Sequence, residues 1–381
     1  MFLEDSRQLQ KEWLNLAENG MDELIELGRA LAETLKKRRR VFAFGIGLDH
    51  LFAEELTARL GGHEAIAGLF PSELMSYDRR MPWIAQCADY STVLMKGWGL
   101  QREDGVLSFS SSDSALAQAM QKNCRRSGVQ WLALGAKSWP LSSPFLPVFQ
   151  VYAAQAVNAV SFATLAEEDA VETMHRLNKE VLAVLEHLEK TQQGNVMKVV
   201  ETMRRHRGRL FILGSGHSHM LQDVAAAMDC PSVVPVLEPE LMVFDPQKTA
   251  RTQKQRDYAS SIIEQFQITD QDVVLLPSNT GNGIMNIELA YQLWQNRTTV
   301  AVFTNMRQSP VIRSLHPSGR RLFETADIVI DNGCVNRDLS LTIGGQRRCP
   351  LSSLALLSCG ILLLRQLKEV LQEEEDEEER P

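Results

Sequence analysis

Apolar positions along this chain follow two different periods, and the switch between them marks out its elements. Between residues 4 and 38, Leu9, Trp13, Leu16, Met21, Leu24, Ile25, Leu27 and Leu31 recur at helical spacing. Asn19-Gly20 is a break between two helices there. Residues 41–44 are continuously apolar and end at Gly45, as a strand buried on both faces would be. Residues 51–60 return to the helical period and close at Gly61-Gly62. Further strands are expected at 65–69, 106–109 and 131–134, with a fifth at 148–152. The stretch from Asp169 to Arg207 is helical, interrupted near Gln193-Gly194. Strands are then expected at 210–213, 233–236, 273–276, 300–303 and 328–330. Helices are expected at 220–228, 258–265, 284–295 and 311–315, with a final one at 351–371. Strands alternating with helices imply a parallel sheet covered by helices on both faces.

The chain is written twice. Phe44-Gly45-Ile46-Gly47-Leu48-Asp49-His50 corresponds to Leu213-Gly214-Ser215-Gly216-His217-Ser218-His219. Glu73-Leu74-Met75 corresponds to Glu240-Leu241-Met242. The segment from Val106 to Ser112 corresponds to that from Val274 to Thr280. The three offsets are 169, 167 and 168 residues. A near-constant offset at three landmarks implies two copies of one α/β unit, covering 1–170 and 171–372, with an acidic end at 373–381.

Two turns of the second copy carry candidate chemistry. Gly214-Ser215-Gly216 permits a tight turn after the first strand, with a helix N-terminus behind it. Ser278-Asn279-Thr280-Gly281-Asn282-Gly283 follows the third strand and interleaves hydroxyls and amides with glycine. Such a group of uncharged donors suits a phosphate ester, although Ser, Thr and Asn also cap helices. No P-loop lysine is present, which disfavours nucleoside triphosphates. A dinucleotide site would need a third glycine where His219 and His50 stand. In the first copy the second turn reads Ser110-Ser111-Ser112-Asp113. A carboxylate beside a phosphate repels it by about 1 kcal/mol or more at 4 Å even in water, so this copy is expected to have lost phosphate binding.

These motifs, with His316-Pro317-Ser318-Gly319-Arg320-Arg321-Leu322 and the segment from Ala326 to Asn332, make the second copy resemble the sugar isomerase (SIS) phosphosugar-binding fold. Its nearest likeness there is to the UPF0309 proteins. The first copy resembles the same unit more faintly. The resemblance implies an α/β fold with two SIS-type three-layer domains, each with a five-stranded parallel sheet, flanked by long helices. It implies a phosphorylated sugar as ligand and a homodimer or homotetramer. The phosphosugar-binding residues it implies are Gly214, Ser215, Gly216, Ser278, Asn279, Thr280, Gly281 and Asn282. Two hydroxyls of the family pattern are missing, at Gly216 and Gly283. Sugar-phosphate isomerisation also needs proton transfer, for which His217, Glu238 and His316 are the candidates. His217, His219 and His316 would offer three nitrogens to a metal, but no supporting acid is identifiable and H-x-H is not a strong ligand spacing. No metal and no cofactor are expected.

Composition narrows the classes further. The formal charge of -8 is concentrated in the tail from Glu373 to Arg380, with seven acids and one base. The rest is close to neutral, so no nucleic acid partner is expected, and the tail is expected to be solvated and disordered. Six scattered cysteines without a C-x-x-C suggest reduced thiols in a cytoplasm. Met1-Phe2-Leu3-Glu4-Asp5 has no signal-peptide character. The 14-residue apolar run from Leu351 to Leu364 is short of a bilayer span, so no membrane partner is expected. The functional expectation is a sugar-phosphate isomerase, deaminating isomerase or lyase. The alternative is a non-catalytic phosphosugar sensor acting through protein contacts.

Overall fold

The computed structural model describes the chain except residues 58, 110–113, 135–138, 231, 243–245 and 379–381, and except the side chains of 246 and 373–378. The chain divides into two compact units. One comprises Gln10–Val181 and Leu339–Leu351; the other comprises Met1–Leu9, Leu182–Asp338 and Ser352–Pro381.

The chain begins with helices α1 (Phe2–Asn19) and α2 (Met21–Lys36). Next come β1 (Val41–Phe44), α3 (His50–Leu56), β2 (Ile66–Leu69), the short α4 (Met81–Ile84) and α5 (Tyr90–Gly97). The first repeat closes with β3 (Gly105–Phe109), α6 (Ala115–Arg126), β4 (Gln130–Leu134) and α7 (Leu146–Leu165). Its sheet is parallel, in the order β2-β1-β3-β4.

Among the described residues, the sheet therefore has four strands where five are expected. Residues 148–152 lie inside α7, not in a strand. That helix is buried on nearly every side and packs on α2 and α3. A helix apolar all round has no amphipathic period, and a short window of it looks like a buried strand. It is also the one described helix long and apolar enough to cross a membrane; 83% of its most apolar window is buried inside the protein. Helix α3 stops at Leu56, short of the expected Leu60.

Helices α8 (Ala170–Thr191) and α9 (Gln193–His206) lead into the second repeat. Strand β5 (Leu210–Ile212) is followed by a 3₁₀ turn (Gly216–His219), α10 (Met220–Met228) and β6 (Val233–Pro235). Then come α11 (Pro246–Thr252), α12 (Asp257–Phe266), β7 (Val273–Pro277), α13 (Ile284–Gln295), β8 (Thr299–Thr304) and β9 (Ile328–Asp331). Five parallel strands pair in the order β6-β5-β7-β8-β9. Phe211, Val274, Leu276, Val300 and Val302 from the sheet pack with Ala259 and Ile262 of α12 and Met285, Leu289 and Leu293 of α13. Residues 311–315 form turns and coil, not the expected helix.

A hairpin follows, β10 (Leu339–Ile343) with β11 (Gln346–Pro350), antiparallel across Gly344-Gly345. It belongs to the first unit and packs on α7. Helix α14 (Ser352–Glu378) closes the chain and carries the helix into the acidic run, where a disordered end is expected. No glycine or proline separates the apolar and acidic segments after Gly360.

Candidate active site at the strand ends of the second repeat

Strand order reverses between β5 and β7, since β6 lies on one side of β5 and β7, β8 and β9 lie on the other. At such a reversal the two loops leave in opposite directions and open a crevice outside the strand C-termini. A cavity of about 290 Å³ occupies it. Ser215 and Ser218 line it from the turn after β5, and Ser278, Asn279, Thr280, Asn282 and Gly283 line it from the turn after β7. Gln253, Lys254 and Asn286 complete its polar wall, with Ala250, Pro277, Ile284 and Leu315 as the apolar part. Among the described residues, no Asp, Glu or His lines it, and Lys254 is the one charged group.

The turn after β7 is fixed from behind. Asn332 Nδ2 donates to Asn279 Oδ1 (2.8 Å). Ser309 Oγ donates to the Thr280 carbonyl (2.8 Å). The backbone N–H of Leu322 donates to the Gly281 carbonyl (2.7 Å). Gly281 has φ +61°, and a Cβ there would lie 3.0 Å from Ser309 Oγ, so glycine is strongly favoured. Within the turn, Thr280 Oγ1 donates to Asn282 Oδ1 (2.7 Å), and Asn282 Nδ2 donates to the Arg313 carbonyl (3.3 Å). Asn282 therefore orders the loop with both ends of its amide. Ser278 Oγ accepts from the Gly281 N–H (3.3 Å), which leaves its own proton available to a ligand. The twelve-residue helix α13 starts directly behind the turn.

The turn after β5 is equally constrained. Gly214 lies so close to the next turn that a Cβ would meet the Ser218 carbonyl at 2.2 Å. Gln222 Oε1 accepts from the Gly214 N–H (2.7 Å). Gln253 Nε2 donates to Ser215 Oγ (2.8 Å), joining this turn to the segment after α11.

The residues expected for proton transfer stand apart from the cavity lining. His217 lies in the 3₁₀ turn between Ser215 and Ser218. Glu238 accepts from Tyr258 Oη (2.9 Å) and Gln265 Nε2 (2.8 Å). Burial and the bond to Glu238 push the Tyr258 hydroxyl well above its usual pKa. The buried His316 contacts Ser318 Oγ through Nδ1 (2.8 Å) and Glu288 Oε2 through Nε2 (2.9 Å). Arg256 bonds the same Glu288, and with His316 and Gln292 it lowers the carboxyl to about 2 despite partial burial. His219 contacts the Gly216 carbonyl through Nδ1 (2.6 Å) and Asp223 through Nε2 (3.1 Å). Both ring nitrogens of His316 are thus engaged within the protein, and Nδ1 of His219 is held by the Gly216 carbonyl. The supporting acids Asp223 and Glu288 were not legible as such in the sequence.

Sequence reasoning also missed Gln253, Lys254 and Asn286; it named Asn332 in a motif but gave it no role in the site. Gln253 and Lys254 come from a polar stretch without a motif, so topology alone brings them to the cavity. Asn286 falls in the first turn of a helix whose apolar spacing draws attention to its other residues.

The first repeat shares this frame but not its lining. Gly47 has φ +60° where Gly216 has +58°. Gly47 N–H donates to the Leu74 carbonyl (2.8 Å), as Gly216 N–H does to Leu241 (2.7 Å). Buried Ile46 stands where Ser215 stands, and Asp49, which accepts from Gln150 (2.7 Å), stands where Ser218 stands. Ser110, Ser111, Ser112 and Asp113 lie outside the described residues; Ser114 caps α6 by accepting from the Ala117 N–H.

The family model described as SIS domain matches residues 2–136 and 177–305, one stretch in each repeat. The chain belongs to the SIS domain family. A UPF0309 protein of Halalkalibacterium halodurans is 31% identical over 166 residues, covering 42% of this chain and 69% of that protein. A UPF0309 protein of Listeria monocytogenes is 31% identical over 186 residues, covering 48% and 75%. Each match has the length of about one repeat. Among solved structures, a Silicibacter pomeroyi protein provisionally named a phosphosugar isomerase superposes with TM-score 0.54 at 15% identity, covering 97% of this chain and 98% of that one. The C-terminal domain of glucosamine-fructose-6-phosphate aminotransferase from Francisella tularensis superposes with TM-score 0.51 at 7% identity, covering 96% of each. At those identities the shared property is the tandem SIS fold.

Proposed function

We propose that the second repeat binds a phosphorylated sugar, with the phosphoryl group at the turn after β7. One observation carries this reading: among the described residues, the cavity at the strand-order reversal is walled by hydroxyl and amide groups and a single lysine, with no carboxylate. A phosphoryl group carries negative charge and accepts several hydrogen bonds. It gains from the Ser278 hydroxyl, the Asn279 amide, the Ser215 and Ser218 hydroxyls and the α13 N-terminus together. Gly214, Gly216 and Gly281 let the backbone come close, while Thr280 and Asn282 hold the turn in shape. Ile46 and Asp49 in the first repeat support a division of labour in which that copy does not bind phosphate.

The lining favours binding over catalysis by this cavity alone. Of the proton-transfer candidates, His217 is the one placed between two cavity-lining serines. An isomerase or lyase reading therefore rests on His217. The test is a thermal-shift screen of hexose and amino-sugar 6-phosphates beside NAD and ATP. A shift with a sugar phosphate and none with the nucleotides is expected; the reverse would overturn the assignment. Exchange of the C2 proton of a bound ester, followed by NMR, separates the two readings. Exchange lost in His217→Ala supports the isomerase, and its absence in the unmodified protein leaves the sensor.

A further inference from the structure

We infer that Asn286 is the residue that reads the sugar, as distinct from the phosphoryl group; this rests on the cavity being the phosphosugar site. Asn286 lies in the first turn of α13 and lines the cavity, yet is only 6% exposed. Its amide oxygen has no hydrogen-bond partner among the described residues. Its neighbours Met285 and Ile287 are buried and apolar, so packing alone would be met by a leucine or methionine without leaving a polar atom unpaired. The other carboxamide side chains of the site each have a partner: Asn279 with Asn332, Asn282 with Thr280 and Arg313, Gln253 with Ser215. Asn286 stands out as a buried amide facing the cavity with capacity in hand.

The chemistry of that capacity points away from phosphate. An unprotonated phosphoryl oxygen accepts and does not donate, so it cannot satisfy the amide oxygen of Asn286. A sugar hydroxyl both donates and accepts, and an amino substituent donates, so either pairs with Asn286. The ligand class is thus a phosphorylated polyol or sugar with a hydroxyl or amino group on the carbon skeleton within reach of α13, not a simple phosphate or alkyl phosphate.

The experiment titrates the full chain and its Asn286→Leu, Asn286→Ala and Ser278→Asp variants with inorganic phosphate, fructose 6-phosphate and glucosamine 6-phosphate by calorimetry. Thermal unfolding confirms that each variant is folded, and the alanine variant serves if leucine is too bulky. In the unmodified protein at least one ester is expected to bind more tightly than inorganic phosphate. Removing the amide should weaken that ester by about tenfold or more, because a buried hydrogen bond is lost, and leave inorganic phosphate within about twofold. Ser278→Asp should weaken both. Equal losses for ester and phosphate, no loss for either, or esters that never exceed inorganic phosphate would overturn the role of Asn286. Failure of inorganic phosphate and both esters to bind the unmodified protein would instead overturn the site assignment itself.

Discussion

Arg209 and Asp272 form a two-point ion pair, Nη2 to Oδ2 at 3.0 Å and Nε to Oδ1 at 3.2 Å, that joins the entries of the two central strands β5 and β7. Arg209 Nη2 also donates to the Gln267 carbonyl, and its guanidinium lies 4.7 Å from the Phe211 ring centroid. The first repeat reproduces the device. Arg40 pairs with Asp104, donates to the Gly99 carbonyl and lies over Phe42. The two copies therefore share individual hydrogen bonds as well as topology. Burial would raise the Asp272 carboxyl, but Arg209 and the Thr269 and Arg209 N–H groups outweigh it and hold it low. Arg209→Ala leaves that buried carboxylate short of a partner. A loss of about 1–3 kcal/mol in urea unfolding is expected, with Arg40→Ala acting alike on its own unit. A change below about 0.5 kcal/mol for both would show that the clamps are incidental.

Acid should loosen the second unit through Glu288. Its folded-state value near 2 lies below the ordinary carboxylate value of 4.5. The stability it contributes is complete above that ordinary value and is lost as pH falls from there towards 2. Thermal unfolding across this window should be less steep in Glu288→Gln than in the unmodified protein. Parallel curves would contradict the role given to the Arg256–Glu288–His316 group.

His63 should act in a different window. It stacks on Phe162 at 3.7 Å, with the Arg348 guanidinium 3.9 Å from the same ring. Burial, then the Arg348 charge, lowers it from 6.5 to about 4. The unfolded chain binds a proton between those values and the folded chain does not, so stability falls as pH drops from 6.5 towards 4. The effect is on the order of 2–3 kcal/mol over that window. His63→Gln should remove most of it in pH-dependent unfolding, and an unchanged slope would refute the assignment.

Much of this fold is legible in the chain because parallel strands buried on both faces are short, continuous apolar runs. The run at 41–44 and those of the second repeat fall on observed strands. Helix α7 was not legible, for the same reason: Val148 to Tyr152 is a continuous apolar run too, and only its burial against α2 and α3 reveals a helix. The hairpin was missed although Leu339, Leu341 and Ile343 alternate with polar residues, because Gln346-Arg347-Arg348 carries no strand signature. At the site, the serine and glycine turns announce themselves by composition. Lys254 and Asn286 do not, since only the crossover between β6 and β7 and the facing of α13 bring them to the cavity.

Lys254 is exposed at the cavity wall and is its one cation among the described residues. Lys254→Ala should weaken inorganic phosphate and sugar phosphates alike by about three- to tenfold at low salt, less at high salt, with no change in unfolding. Titration at two ionic strengths checks this. An affinity insensitive to both the substitution and salt would exclude a role for its charge.

Gly281→Ala should cost about 1 kcal/mol or more in stability because of the positive φ and should also lower sugar-phosphate affinity, as the Ser309 contact displaces the turn. Unfolding and titration on the same preparation separate the two effects. Full affinity in the alanine variant would contradict the rigid-turn account of the site.

The central claim is that a phosphoryl group sits against the turn after β7. A crystal of the full chain soaked with a hexose 6-phosphate tests it most directly. Phosphorus density within hydrogen-bonding reach of Ser278 Oγ, and none at the matching turn of the first repeat, is the expected result. Density at the first repeat instead, or only ordered solvent beside Ser278, would contradict it.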